Sequence, residues 1–282
     1  MSVQEEFYIA GMPQLSYLGL SENWLLKECG HRHWLGLADL NNQVLPDFYD
    51  QSGNKAYAAF TAVKITSASL SSIQENQSFE IHSEVSRVGP ARYFGLHTIT
   101  SRSFTCAQVT MLSTFVYRRE KGNNQSVTRA NLSNEPVEFN GDREQLDTWI
   151  AFGKAARTGQ WVEHLGINRF CAMARSSVTY CPCPYSDFNG ANFLYFANFQ
   201  NYVDKAEWAW FKDEHLWCLD TRELYFYGNI NLGDTLTITL GSAVSTGDEL
   251  RHWCEVFNSQ NVKIADVFTV KRKAKDDQAP RP

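Results

Sequence analysis

The chain has 282 residues, 43% hydrophobic and 20% charged, a globular composition long enough for two modest domains or one large one. A net charge of −5 argues against a protein that coats nucleic acid, because neutralising phosphates needs a basic face. The opening MSVQEEFYIAGMPQ has no apolar run of signal length, and no stretch reaches about 18 apolar residues, so neither export nor a membrane span is expected. The seven scattered Cys, an odd number, then read as reduced thiols in a cytoplasmic protein.

Taken in chain order, 50-DQSGNKAYAAF-60 has an Asp-x-x-Gly turn that reads as feeding an apolar helix. Asp and Asn accept from free amides at a helix start, and Gly tolerates turn conformations that other residues avoid. Three alternating segments follow, 73-IQENQSFEIHSEV-85, 92-RYFGLHTITSRSF-104 and 108-QVTMLSTFVYRRE-120, each with the period of an antiparallel strand. The stretch 119–149 is polar, rich in Asn and low in apolar residues. It places a boundary there and divides the chain into units 1–135 and 136–282.

The second unit repeats the order. In 187-DFNGANFLYFANF-199 the same turn precedes a segment with almost no charge on any face, and such a helix has to be wrapped on nearly all sides. Segment 230-INLGDTLTITL-240 places Leu236, Ile238 and Leu240 on one face, and 251–259 with 261–273 reads as an antiparallel pair. Aligning Ile73 with Ile230 puts Phe79 on Leu236 and Ile81 on Ile238. Aligning Phe115 with Phe268 puts Val109 on Val262, Met111 on Ile264 and Arg118 on Lys271, while Asp50 and Gly53 match Asp187 and Gly190. The pattern is a duplication. A long helix wrapped by a curved antiparallel sheet, built twice and fused, is an α+β double hot-dog fold.

A helix start carries unsatisfied amides and a partial positive charge, which suits a developing oxyanion such as that of a thioester carbonyl. Gly190 and Gly53 would allow close backbone approach, and Asn189 or Asn192 would add donors. His31 and His33 lack a third ligand in sequence and read as core residues, so no metal is expected. Cys181-Pro-Cys183 reads as a loop entering the site. The basic strand ends 116-VYRREK-121 and 269-TVKRKAK-275 read as solvated, with CoA phosphates or an acidic carrier protein as their alternative partners.

The turn entering an aromatic segment with a Tyr resembles the hot-dog thioesterase signature, although Ala191 stands where a His often follows Gly. More narrowly, 11-GMPQLSYLGLSENWLLKECGHRHW-34, 187-DFNGANFLYFANF-199, 204-DKAEW-208 and 224-LYFYGNINLGD-234 resemble the LnmK family, bifunctional acyltransferase/decarboxylases of polyketide biosynthesis. That resemblance implies an enzyme that decarboxylates methylmalonyl-CoA and delivers propionyl, or acetyl from malonyl-CoA, to an acyl carrier protein. Acyl-CoA is then a substrate and no cofactor is implied. It also implies a reactive Tyr in the first hot dog, best matched by Tyr57 in 53-GNKAYAAF-60, with Tyr49 the neighbouring alternative. Whether this Tyr is a nucleophile or a hydrogen-bond donor stays open, since its ordinary pKa near 10 makes it a weak nucleophile unaided. The rival readings are a hot-dog thioesterase or dehydratase, and a non-catalytic acyl-thioester binding protein. No nucleic-acid or membrane partner is expected, and a monomer or a homodimer of double units both fit.

Overall fold

The computed structural model describes residues 1–130, 132, 139, 141–171, 176–212 and 215–274. The expected boundary between 135 and 136 lies outside the described residues. The elements are β1 Ser2–Ile9, α1 Glu22–Leu40, β2 Lys55–Thr66, β3 Ser78–Gly89, β4 Arg92–Ser101 and β5 Phe104–Arg118, then α2 Arg143–Thr158. There follow β6 Ser177–Tyr180, α3 Phe196–Phe211, β7 Trp217–Phe226, β8 Leu236–Ser245, β9 Glu249–Asn258 and β10 Lys263–Lys273.

One antiparallel sheet runs in the order β1-β3-β4-β5-β2-β7-β10-β9-β8-β6. Read outward from the β2–β7 junction, each half has the same connectivity, with one long helix between its outermost strand and its innermost one. At the junction Val63 faces Leu224 and Ile65 faces Arg222. Alternation then sorts the two faces. Val63, Ile65, Met111, Leu224 and Val267 join the core that holds residues of α1 and α3, whereas Tyr225, Trp253 and Phe268 lie in a separate cluster with Leu146 and Ala156 of α2.

The strands expected from alternation are present, and Leu236, Ile238 and Leu240 are buried as one face. Ile81 pairs with Ile99 and Ile238 with Val256, so the alignment of Ile81 on Ile238 follows the sheet register. The alignment of Val109 on Val262 does not. Val109 is fully buried opposite His97, while Val262 is 52% exposed at the β9–β10 turn, and it is Val267 that faces Cys254 on β9.

Both expected helix starts are corrected. Asp50 closes a hairpin: its Oδ1 accepts from the amides of Ser52 and Asn54 at 2.9 and 2.8 Å, and Gly53 at the tip has φ of 80°. The following residues, Tyr57 among them, form β2 rather than a helix. In the second half α3 starts at Phe196, after the turn has closed on itself. The first long helix is instead α1, whose buried residues Leu25, Leu26, Cys29, His33 and Leu37 recur every three or four positions. Ser21 caps it, its Oγ accepting from the Trp24 amide at 3.3 Å.

Gly30 is where α1 and α3 meet. A Cβ on it would lie 2.7 Å from Cε1 of Phe196, the first residue of α3. Ala in a helix interior is favoured over Gly by about 0.5–1 kcal/mol, but overpacking a tight core costs about 1–3 kcal/mol. Gly30→Ala is therefore expected to lower stability, read as a reduced urea midpoint at unchanged m-value. A midpoint equal to or above wild type would show that Phe196 yields without cost.

Candidate functional site

The 187–195 turn is held from three directions. Asn189 Oδ1 accepts from the amides of Ala191 and Phe193 at 3.0 and 3.1 Å, the same i+2, i+4 geometry as Asp50. Asp187 is 8% exposed, and its Oδ2 accepts from the Cys183 amide and the Tyr202 hydroxyl, both at 2.6 Å. Asn229 grips Leu194 by both polar ends, Oδ1 accepting from its amide at 2.9 Å and Nδ2 donating to its carbonyl at 3.0 Å. The left-handed residue is Asn192, φ 61°, rather than Gly190. Gly190 is exposed, and a Cβ there would meet nothing within 4 Å.

Behind this turn lies a cleft of about 220 Å³. Ala58–Thr61 of β2 form one wall, Phe193, Phe196 and Phe199 another, and Phe226 with Asn229 the end. Tyr57 stands beside it, half-buried, its ring edge-on to Phe193 with centroids 6.0 Å apart. The Arg118 guanidinium stacks 3.8 Å from the Phe193 ring centroid and 5.8 Å from that of Tyr57. Arg118 also donates to the Ala191 carbonyl and, from Nε, to Asn124 Oδ1 at 2.7 Å. Partial burial draws its pKa below the ordinary value, and nearby Tyr57 acts in the opposite direction.

Tyr57, Asn189 and Asn192 thus come together from distant parts of the sequence. Gly53 sits on the exposed tip of its hairpin, and Tyr49 is 52% exposed there under the Lys55 ammonium. The amides of residues 191–195 are already bonded within the turn or to Asn229 and Asp187. The next amides along, those of Phe196 and Ala197 at the start of α3, have no intrahelical acceptor, while that of Asn198 bonds the Tyr195 carbonyl at 2.8 Å. His33 points into the core, Nε2 2.8 Å from Ser113 Oγ, and burial pushes its pKa down to about 3.

Sequence reading missed Asn124. Within the polar stretch read as the place of the domain boundary, it is fully buried, and its Nδ2 donates to the carbonyls of Asn192 and Ile230 at 2.6 and 2.7 Å. A fully buried Asn inside GNNQS has no signature in composition. Lys271 was also misread as a solvated strand end. It is 8% exposed, with Nζ bonded to Asp204 at 3.0 Å and to Glu207 at 2.5 Å.

That lysine belongs to a second, larger chamber of about 810 Å³ between the start of α1, the middle of α3 and the start of β7. Arg222, fully buried, lies 3.1 Å from Glu22 and 2.7 Å from Asp204, and Glu207 bonds His252 Nε2 at 2.8 Å. Burial drives the Glu22 carboxyl up to about 7 against the pull of Arg222. Asp204 and Glu207 move the other way: burial tends to raise each, but Arg222 and Lys271 for Asp204, and Lys271 and His252 for Glu207, hold them below the usual carboxylate range. The spacing of Asp204 and Glu207 on an apolar helix was the one signal of this cluster in the sequence.

No protein-family model matches the chain, and neither does any curated protein. Solved structures do. The 12:0-ACP thioesterase of Umbellularia californica superposes on 96% of this chain and 98% of its own, with TM-score 0.66 and 10% identity. A protein assigned as an oleoyl thioesterase from Lactobacillus plantarum covers 98% of both chains at TM-score 0.68 and 12% identity. An acyl-ACP thioesterase of Bacteroides thetaiotaomicron covers 95% and 97% at TM-score 0.61 and 9% identity. Together with the mirrored sheet order and the matching places of α1 and α3 in the two halves, these superpositions give the chain a double hot-dog fold.

Proposed function

We propose that the chain is an enzyme of acyl-thioester chemistry that decarboxylates malonyl-CoA or methylmalonyl-CoA and loads the acetyl or propionyl product onto an acyl carrier protein. The observation that carries this reading is a turn with no spare base. Asp187 is engaged by the Cys183 amide and the Tyr202 hydroxyl, and Ala191 has no titratable group. Hydrolysis or dehydration at this cleft would need a base; decarboxylation does not.

In the decarboxylation, the C–COO⁻ bond breaks and its electron pair forms an enolate, whose oxygen is held by the first amides of α3. Carbon dioxide leaves, and a proton from solvent completes the acyl group. The carrier thiol then attacks the thioester carbon, the C–S bond to CoA breaks, and the CoA thiolate takes up a proton. Tyr57, beside the cleft and edge-on to Phe193, acts on this transfer as nucleophile or as hydrogen-bond donor. Arg118, whose fork is already oriented by Asn124 and Ala191, anchors the substrate carboxylate before it leaves. The resemblance of the quoted motifs to LnmK-type enzymes supports the same assignment. The names of the solved neighbours favour a second reading, hydrolysis, which free-thiol release without a carrier would report.

Intact-mass spectrometry of holo acyl carrier protein incubated with each CoA ester decides the first reading. Wild type should give an acetyl or propionyl adduct, and Tyr57→Phe should lower the loading rate by about 10²–10³, the cost of losing one transition-state donor. A retained carboxyacyl adduct, or equal loading by Tyr57→Phe, would overturn the assignment. For Arg118→Lys, loss of the planar fork should raise KM for malonyl-CoA about tenfold while leaving KM for acetyl-CoA unchanged. An equal rise for both esters would make Arg118 a scaffold for the turn and no reader of the carboxylate.

A further inference from the structure

The β2–β7 junction builds its helix-start cleft twice. The start of α3 meets Ala58–Thr61 of β2, and the start of α1 meets Trp217–Leu219 of β7. Glu22 and Phe196 are the first residues of the two helices, so they occupy corresponding places. One cleft puts an aromatic ring there and the other a carboxylate. We infer that the chamber at the start of α1 is a second active site, in which Glu22 activates water to hydrolyse an acyl thioester. This rests on the acyl-thioester class proposed above and not on decarboxylation.

Three observations carry it. The chamber is large, and its lining joins the apolar Phe211, Trp217 and Leu219 to the polar Glu22, Asn23 and Lys271, with Leu219 and Lys271 paired across β7 and β10. The Glu22 side chain is 9% exposed, and its neighbours leave it as the odd charge. From α3 it faces Asp204 and Glu207, from β7 Arg222 and from β10 Lys271, while His252 of β9, whose pKa burial lowers, reaches the cluster through Glu207. Three carboxylates thus share two permanent cations. Lys271 is taken by Asp204 and Glu207, which leaves Glu22 only a share of Arg222. Protonating Glu22 balances the cluster. A carboxyl that titrates near 7 can both take and return a proton at neutral pH. Finally, the first amides of α1 have no intrahelical acceptor, beyond the Trp24 amide that Ser21 caps, and a thioester carbonyl oxygen can point at them.

Glu22 takes a proton from water as the water oxygen bonds to the acyl carbon. The carbonyl π pair moves onto its oxygen, held by the α1 amides. Collapse breaks the C–S bond, and the thiolate leaves with the proton returned by Glu22, giving a carboxylic acid and a thiol.

The test measures thiol release from acetyl-, hexanoyl- and dodecanoyl-CoA, without carrier protein, between about pH 5 and pH 9, for wild type and Glu22→Gln. Wild type should hydrolyse at least one ester with kcat/KM rising through a single ionisation near pH 7, because the base works only when deprotonated. Glu22→Gln should lose about 10²–10⁴-fold in kcat with KM little changed and near-UV circular dichroism retained. Equal hydrolysis by the Gln variant overturns the inference. So does a wild-type rate that is flat with pH, an outcome that needs no variant to fold. Carrier loading from malonyl-CoA is followed on the same wild-type samples. Loading without hydrolysis sinks this inference alone, and hydrolysis without loading sinks the acyl-transfer proposal alone.

Discussion

The pairing of β2 with β7 is the constraint on which the rest of the molecule depends. It joins two half-sheets through the register of Val63 with Leu224 and Ile65 with Arg222. Because side chains alternate, this register puts Leu224 and Arg222 toward the helices and Glu223 and Tyr225 toward α2. On the outer face Glu223 is met by Lys64 at 2.8 Å and by His164 at 2.8 Å, which pins the strands against sliding. A one-residue slip would turn Arg222 outward, away from Glu22 and Asp204, and bring Glu223 inward without Lys64. Both clefts exist only in the observed register, since each borrows its first strand from the opposite half.

The two halves have the same connectivity and different interiors. Each long helix places one polar side chain on the last strand of its own half: His33 on Ser113 of β5, and Glu207 on Lys271 of β10. The first pair is neutral, because burial keeps His33 unprotonated, and it can sit in a packed core. The second is ionic, and an ion pair out of water needs further partners to offset desolvation. The 220 Å³ cleft therefore has a mostly apolar, aromatic lining, whereas the 810 Å³ chamber is ringed by charges. The shared connectivity gives both halves one scaffold, and a few helix positions separate an apolar cleft from a charged chamber.

Much of the sheet was legible because alternation is a direct consequence of strand geometry: the buried faces of β3, β4, β5 and β8 each show it. The helices were not. The Asp-x-x-Gly pattern does not fix a helix start: Asp50 accepts from the amides two and four residues on and closes a hairpin, whereas in the second copy Asn189 makes those bonds and Asp187 accepts from Cys183 and Tyr202. The true first helix carries Glu, Lys, Arg and two His among its apolar residues, which dilutes its stripe. At the site, Tyr57 and the 187–195 turn were readable as motifs, but their meeting was not, because it depends on Arg118 and Asn124 bridging segments far apart in the chain. Buried charge was the least legible. Basic and acidic residues near strand and helix ends ordinarily face water, and nothing local distinguishes Lys271 or Arg222 from that default.

Electrostatically the chamber behaves as one object. Lys271 is met by Asp204 and Glu207, and Arg222 by Asp204 as well, so Asp204 couples the two buried cations. Removing one member of such a group leaves another uncompensated in a low-dielectric interior, and the effects of single substitutions will not add. Glu22 is the exception within the group. Its carboxyl is already the least stabilised as an anion, so neutralising it removes a charge that the cluster holds only weakly. The position most easily altered without dismantling the network is therefore also the one whose proton is free to move, and in a chamber at a helix start that is the property a general base requires.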